Sequence, residues 1–72
     1  MSRPRKISVM IDGHATSLSL ETEFWDAFVA LCAADRRRTG ERLAEIDRDR
    51  EGGLSGAVRL WVLERLRRPR LA

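Results

Sequence analysis

The side chains that could do chemistry in this chain of 72 residues are few. His14 is its one histidine and Cys32 its one cysteine, so the sequence offers no metal-ligand cluster and no intrachain disulfide. His14 follows a predicted turn and Cys32 falls on an apolar stripe, positions that favour structural roles over ligation or nucleophilic attack. Phosphate-binding glycine loops and nucleophile elbows are also absent from the sequence. We therefore predict no enzyme activity, no metal and no cofactor.

Basic side chains are the remaining candidates for chemistry. The chain has 14 Lys and Arg against 11 Asp and Glu, a formal net charge of +3. The basic residues cluster at the front, in the middle and near the end of the chain, as Arg3, Arg5 and Lys6, then Arg36, Arg37 and Arg38, then Arg65, Arg67, Arg68 and Arg70. Clustered arginine suits phosphate, and solvated surface charge is the competing interpretation. Charge alone therefore does not establish a nucleic-acid partner.

The elements that must position these side chains begin with a predicted β-hairpin. Apolar residues alternate with polar ones over residues 6–12 and 15–20, and Asp12-Gly13 between them is a strong two-residue turn signal. With that turn, Ile11 pairs with His14, whereas a loop of Gly13-His14 shifts the partners but keeps the same residues on each face. One face then carries Ile7, Val9, Ile11, Thr16, Leu18 and Leu20, and the other carries Ser8, Met10, Ser17 and Ser19.

Three helices are predicted after the hairpin, at residues 22–37, 41–50 and 55–67. The apolar residues recur at helical spacing in each segment, and glycines separate the segments. Thr22 and Ser55 have side chains suited to capping the first and last helix. A domain at residues 7–68 therefore lies between a basic arm at residues 1–6 and a short tail at residues 69–72.

The last helix carries more apolar surface than one small chain can cover. Its apolar residues occupy nearly the whole circumference and are Ala57, Val58, Leu60, Trp61, Val62, Leu63 and Leu66. A helix apolar on all sides must be covered on more than one of them. A core in a chain of this length supplies only about 3–5 kcal/mol, so an additional source of stability is expected. Because disulfides and metals are excluded, we predict a homodimer.

The sequence also bears on the compartment. The sequence contains no run of about 18 apolar residues that could span a membrane. Its basic N-terminal segment is followed by alternating apolar and polar residues rather than by the apolar region of a signal peptide. A single thiol fits a reducing compartment. We expect a cytoplasmic protein with no membrane partner.

Three segments resemble a known family. They are "GHATSLSLETEFW" at residues 13–25, "EID" at residues 45–47 and "LSGAVRLWVLERL" at residues 54–66. They are similar to segments of a subgroup of small bacterial ribbon-helix-helix domain proteins, within the class of Arc-like repressors. The resemblance implies an intertwined homodimer with a mostly α fold and an N-terminal β-hairpin, here with an extra short helix.

The resemblance also implies a DNA-binding regulator of transcription. In this class the paired ribbon enters the major groove, and the start of the last helix meets a backbone phosphate. Carried onto this chain, Ser17 and Ser19 face the bases. Leu54, Ser55 and Gly56 take the phosphate position, and we add the basic arm residues Arg3, Arg5 and Lys6.

Several apolar and aromatic residues are predicted to hold the core or the dimer together, namely Leu18, Leu20, Trp25, Phe28, Trp61 and Leu63. Arg59 lies inside the most apolar helix, where an unpaired charge is costly. We expect an acidic partner for Arg59, either Glu21 or Asp47.

Two features of the hairpin leave the ligand open. Serine side chains are short and discriminate poorly between bases. Four strands in a dimer span ~15–19 Å, while the major groove is ~12 Å wide. Either the first strand splays away, or its basic arm follows the DNA backbone, or DNA is engaged differently, or DNA is not the ligand. The alternative function is a protein-interaction module, antitoxin-like or an adaptor, that binds another protein through the sheet edge or an apolar surface.

Overall fold

An N-terminal hairpin followed by three helices forms the structure. The computed structural model describes residues 2–68; Met1 of the predicted arm and the predicted tail, residues 69–72, lie outside the described residues. The elements are β1 (Arg5–Ile11), β2 (His14–Leu20), α1 (Thr22–Ala34), α2 (Thr39–Asp49) and α3 (Leu54–Arg67). The two strands form one antiparallel sheet. This arrangement confirms the predicted fold class for a single chain.

The hairpin turn explains the position of both strands. Asp12 and Gly13 have φ values of 49° and 81°, so both central residues are left-handed, as a type I′ turn requires. Ile11 therefore pairs with His14, which selects the Asp12-Gly13 loop over the alternative loop at Gly13-His14. The predicted strand bounds, 6–12 and 15–20, shift by one residue because Asp12 belongs to the turn and His14 belongs to the strand.

The first helix ends earlier than predicted. It stops at Ala34 rather than residue 37, because the chain turns left-handed at Arg36, where φ is 56°. The N–H of Arg37 then donates to the carbonyl of Cys32 at 2.9 Å, which closes a Schellman motif. The motif usually uses glycine, so the arginine-rich sequence conceals it. The middle arginine cluster consequently lies in the α1–α2 turn and not in the last helical turn.

The predicted capping roles of Thr22 and Ser55 are wrong. The N-cap positions belong to Glu21 and Gly53, and neither makes a side-chain capping bond. Each predicted cap lies inside its helix, Thr22 at the first position and Ser55 at the second. Ser55 has the residue type of a helix cap, but its hydroxyl accepts a hydrogen bond from β2 instead.

The second helix runs over Thr39–Asp49 rather than residues 41–50. It begins early because Glu41 reaches back and its Oε1 accepts a hydrogen bond from the N–H of Arg38 at 3.2 Å. This bond satisfies a free amide at the start of the helix.

The hydrophobic core lies between the inner face of the hairpin and the helices. Its buried members are Ile11, Leu18, Leu20, Phe28, Cys32, Leu43, Ala44, Ile46, Val58 and Val62. Phe28 lies between Trp25 and Trp61, with ring centroids 5.6 and 5.4 Å away. The sheet contacts α2 through β1 and α3 through β2. Alternation along the strands therefore sends one set of side chains into the core and exposes the other set.

Candidate nucleic-acid interface

The outer face of the hairpin is small, polar and exposed. Six side chains lie on it, Lys6, Ser8 and Met10 from β1 and Ala15, Ser17 and Ser19 from β2. Ser17 and Ser19 face outward as predicted, since Leu18 and Leu20 on the same strand are buried. The face carries no acidic residue. Its side chains are short, apart from Lys6 and Met10, so it presents a nearly flat surface.

Three cations lie at one end of this sheet. Arg3 precedes β1, and Arg5 and Lys6 are its first two residues; all three are exposed. None of them takes part in the six ion pairs found among residues 2–68. These guanidinium and ammonium groups are therefore free, within the described chain, to contact an external anion.

The predicted N-terminal arm is not a separate segment. Arg5 and Lys6 belong to the sheet, and Ser2 is held against the start of α1. The Ser2 hydroxyl donates to Glu23 Oε1 at 2.6 Å and accepts a hydrogen bond from the N–H of Thr22 at 3.3 Å. The hydrogen bonds from Ser2 hold the pKa of Glu23 below its usual value. Ser2 thus supplies a cap that α1 lacks locally, a role that sequence spacing does not reveal.

The start of α3 has free amides and a bound hydroxyl. The first bond within the helix runs from the N–H of Ala57 to the carbonyl of Gly53, so three earlier amides have no partner in the helix. They belong to Leu54, Ser55 and Gly56, the predicted phosphate-contacting residues. The first turn contains no acidic side chain. The Ser55 hydroxyl itself accepts a hydrogen bond from the N–H of Ser19 at 2.8 Å, which ties α3 to β2.

Arg59 makes the predicted kind of ion pair. Its Nε donates to Glu21 Oε1 at 2.9 Å and its Nη2 to Oε2 at 3.2 Å, which confirms Glu21 as the partner. The other candidate, Asp47, pairs with Arg50 at 2.7 Å. The Arg59 side chain lowers the pKa of Glu21. Arg59 Nη2 also donates to the carbonyl of Ser19 at 3.3 Å, so one arginine joins α3 to β2 and to the loop before α1.

One face of α3 continues the free edge of β2. Ser55, Arg59 and Leu63 are spaced four residues apart and Leu66 three further on, so they lie along one side of the helix. Leu63 is 44% exposed and Leu66 is 63% exposed. We call Arg59, Leu63 and Leu66 the α3 stripe. Leu63, a predicted dimer residue, therefore has apolar surface available for a partner chain. Leu18, Leu20 and Phe28 have none, because they are buried in the core of the single chain.

A second ionic network, centred on Asp35, has no signal in the sequence. Asp35 accepts hydrogen bonds from Arg42 at 3.1 Å and from Arg65 at 2.5 Å, and both guanidinium groups lie over the ring of Trp61. Arg37 pairs with Glu45 at 2.7 Å in the same region. These contacts join three helices through residues that are distant in sequence, so no local sequence pattern predicts them. The arginines concerned are structural and are not free to bind phosphate.

The candidates for other chemistry occupy ordinary positions. His14 is exposed beside the turn, and Cys32 is buried, where burial raises the pKa of its thiol. Within residues 2–68, no three His, Cys, Asp or Glu side chains are grouped so as to hold a metal ion. Over the same residues, no helix has the length and apolar character needed to cross a bilayer.

A shallow groove of about 880 Å³ lies between α2 and α3. Its apolar part comes from Ile46, Ala57, Leu60 and Trp61, and its rim carries charges of both signs. Leu60 is exposed within it. The groove borders the α3 stripe at Arg59, which lines it, whereas Leu63 and Leu66 lie outside it.

Comparison with known proteins agrees with this architecture. Searches of curated proteins and of solved structures gave no significant match. The family model described as the ribbon-helix-helix domain matches residues 4–66, which is most of the chain. The chain therefore belongs to the ribbon-helix-helix domain family.

Proposed function

We propose that two copies of this chain form a homodimer that binds double-stranded DNA in the cytoplasm and regulates transcription, as a repressor does. Proteins of the ribbon-helix-helix family are typically dimeric and bind DNA. The observation that carries the proposal is the group of exposed cations at the start of β1, Arg3, Arg5 and Lys6, which form no ion pair among residues 2–68. Lys6 lies on the outer sheet face, which carries no acidic residue, so a polyanion meets no carboxylate on that face. Arg5 alternates to the helix-facing side at the same end of the sheet.

The dimer accounts for the apolar surface that Leu63 and Leu66 leave uncovered. The free edge of β2 and the α3 stripe lie on the same side of the molecule, because Ser55 and Arg59 contact Ser19. A second copy that pairs along this edge brings its own Leu63 and Leu66 to the same place. Such an interface is self-complementary, as a two-fold dimer requires. Leu63 and Leu66 consequently do not call for a different protein partner.

The proposed mode of DNA binding follows from the width of the sheet. In the structure β1 stays paired with β2 from Arg5 to Ile11, so a dimer joined through β2 has four strands. Its outer strands lie ~14 Å apart, wider than the major groove of ~12 Å. We infer that β1 of each copy lies over a DNA backbone and that β2 lies over the groove. Lys6 then faces phosphate, while Ser17 and Ser19 face base edges from above.

This geometry predicts affinity from phosphate contacts and modest sequence preference. Serine hydroxyls donate to or accept from any base and reach only a short distance. The free amides of Leu54, Ser55 and Gly56 offer a further phosphate contact at the start of α3. Electrostatic contacts of this kind weaken as salt displaces them.

The test is a salt series of duplex binding, measured by fluorescence anisotropy on a labelled 25-base-pair duplex. The variant combines Arg3→Gln, Arg5→Gln and Lys6→Gln. The matched control combines Arg36→Gln, Arg48→Gln and Arg67→Gln, which removes the same charge from exposed sites that form no ion pair among residues 2–68. Each phosphate contact contributes about 0.9 to the slope of log K against log salt.

We expect the first variant to weaken binding at least tenfold and to reduce the slope by about 2–3 per copy. The control should change affinity less than threefold. Equal losses in both variants would place the contact elsewhere. Absence of wild-type binding at low salt would overturn the DNA proposal and favour the alternative, a protein-interaction module using the groove between α2 and α3.

A further inference from the structure

The edge of β2 is closed at one end by α3. In a hairpin with a two-residue turn, His14, Thr16, Leu18 and Leu20 direct their backbone groups toward β1, and the residues between them direct theirs to the free edge. Ser19 is one of those between. Its N–H donates to Ser55 Oγ at 2.8 Å, and its carbonyl accepts from Arg59 Nη2 at 3.3 Å. Both edge-facing groups of Ser19 are therefore occupied within the chain.

This closure is held firmly in place. Arg59 is anchored by two hydrogen bonds to Glu21, at 2.9 and 3.2 Å, so its guanidinium cannot swing away without breaking an ion pair. Ser55 lies one turn before Arg59 on the same helix. Within the part of the chain that the structure describes, only Ala15 and Ser17 keep free N–H and carbonyl groups on the edge of β2. These two residues supply four hydrogen-bonding groups in each copy.

The free groups distinguish between the ways in which two copies of β2 can pair. If the two-fold axis passes through Ser17, Ser17 pairs with Ser17 of the other copy, and Ala15 of each copy pairs with Ser19 of the other. Four of the six hydrogen bonds in this register would then need the N–H and carbonyl groups of Ser19, which α3 already occupies. If the axis passes through Thr16, Ala15 of each copy forms hydrogen bonds with Ser17 of the other. That register forms four hydrogen bonds from free groups alone and leaves the contacts of Ser19 intact.

We propose that the dimer ribbon is centred on Thr16, with α3 of each chain setting the register by closing the edge at Ser19. This inference rests on the proposed dimer and specifies how its partner, a second copy of the chain, must align. The position of Thr16 agrees with this axis. Its side chain lies on the helix-facing side of β2, where Leu18 and Leu20 are buried, yet Thr16 is exposed. At the axis the two Thr16 residues form a non-hydrogen-bonded pair, whose Cα atoms lie ~4.5 Å apart.

Disulfide trapping tests the register, because the bond needs Cα atoms within ~7 Å. The variants are Thr16→Cys and Ser17→Cys, both at exposed sites, and the wild-type chain with its buried Cys32 is the control. With the axis at Thr16, the two Thr16 positions are ~4.5 Å apart and the two Ser17 positions ~8–9 Å apart. With the axis at Ser17, the Ser17 positions are close and the Thr16 positions are distant.

Each variant is oxidised with diamide and analysed on a non-reducing gel, after light scattering has measured the mass of the reduced protein. We expect the Thr16→Cys chain to form covalent dimers at least tenfold faster than Ser17→Cys. The opposite order overturns the register. Dimers in light scattering without a disulfide in either variant also overturn it. A monomer at every concentration refutes the proposed dimer itself, a failure that light scattering identifies before oxidation.

A second measurement uses the unaltered sequence. In a sample that mixes isotope-labelled and unlabelled chains, a filtered NOE between the Hα atoms of Thr16 in the two copies is expected, since non-hydrogen-bonded pairs bring these atoms together. An intermolecular Hα contact between Thr16 and Leu18 in its place would put the axis at Ser17 and contradict the proposal.

Discussion

Replacement of Leu63 by glutamine tests whether the α3 stripe forms the dimer interface. Leu63 lies two turns beyond Ser55 on the helix face that continues the edge of β2. Its side chain keeps 44% of its surface exposed in the single chain. Glutamine preserves helix propensity and similar length, so the fold of one chain should change little. The dimer should weaken because each copy would bury a polar amide without a partner.

The magnitude follows from the exposed fraction. Full burial of a leucine side chain contributes about 1.5–3 kcal/mol, so the surface that Leu63 still exposes is worth about 0.7–1.3 kcal/mol per copy. The two-fold axis doubles the effect to about 1.3–2.6 kcal/mol for the dimer. We therefore expect the dissociation constant to rise roughly 10–70-fold.

Sedimentation equilibrium over a range of concentrations measures that constant, and circular dichroism verifies that the helices are retained. Met10→Gln is the matched control, since Met10 lies on the outer sheet face and is 59% exposed, more than Leu63. A general effect of removing exposed apolar surface would be larger at Met10. Equal weakening by both variants, or an unchanged constant for Leu63→Gln, would refute the assignment of the stripe to the interface.

Three further predictions concern stability. Phe28→Ala should lower the free energy of unfolding by about 3–5 kcal/mol, enough to abolish the urea transition of a core this small, because Phe28 is fully buried between two tryptophans. Hydrogen bonds lower the pKa values of Glu21, Glu23 and Glu45 from 4.5, so the stability that these carboxylates contribute is present above pH 4.5 and is lost as the pH falls through the folded-state pKa. Glu23→Gln should therefore reduce the loss of melting temperature at acid pH, and an unchanged dependence of melting temperature on pH would contradict the role of the Ser2–Glu23 hydrogen bonds. Arg36→Gly should raise the melting temperature relative to Arg36→Ala, because φ is 56° at this position and glycine relieves about 1 kcal/mol of strain.

The hairpin was predictable nearly to the residue. Alternation with period two and the Asp12-Gly13 turn are local signals, and a type I′ turn permits one pairing of the flanking residues. The outward direction of Ser17 and Ser19 follows from the same alternation. The end of α1 was predicted three residues too late, since the left-handed residue there is Arg36 and the sequence lacks the usual glycine.

The roles of individual polar side chains were less predictable. The need of Arg59 for an ion pair follows from the apolar helix around it, and the sequence offers two acidic partners, of which Glu21 is the one observed. Ser55 has the residue type of a helix cap, but its hydroxyl bonds to Ser19. Residue type and spacing therefore predict that a polar group has a partner. They do not predict which of several suitable groups in the same chain that partner is.

By itself the sequence determined the order of elements, the faces of the hairpin, the class of fold and the excess of apolar surface on α3. These depend on periodicity, turn chemistry and composition, which act over a few residues. Only the tertiary structure decided which cations are free, where the edge of β2 ends and how Ser2, Ser55 and Arg59 are used. Those contacts join residues 20–40 positions apart, as between Ser19 and Ser55, and depend on how the helices pack against the sheet. Packing, rather than local pattern, therefore left Arg3, Arg5 and Lys6 available and closed the strand edge beside them.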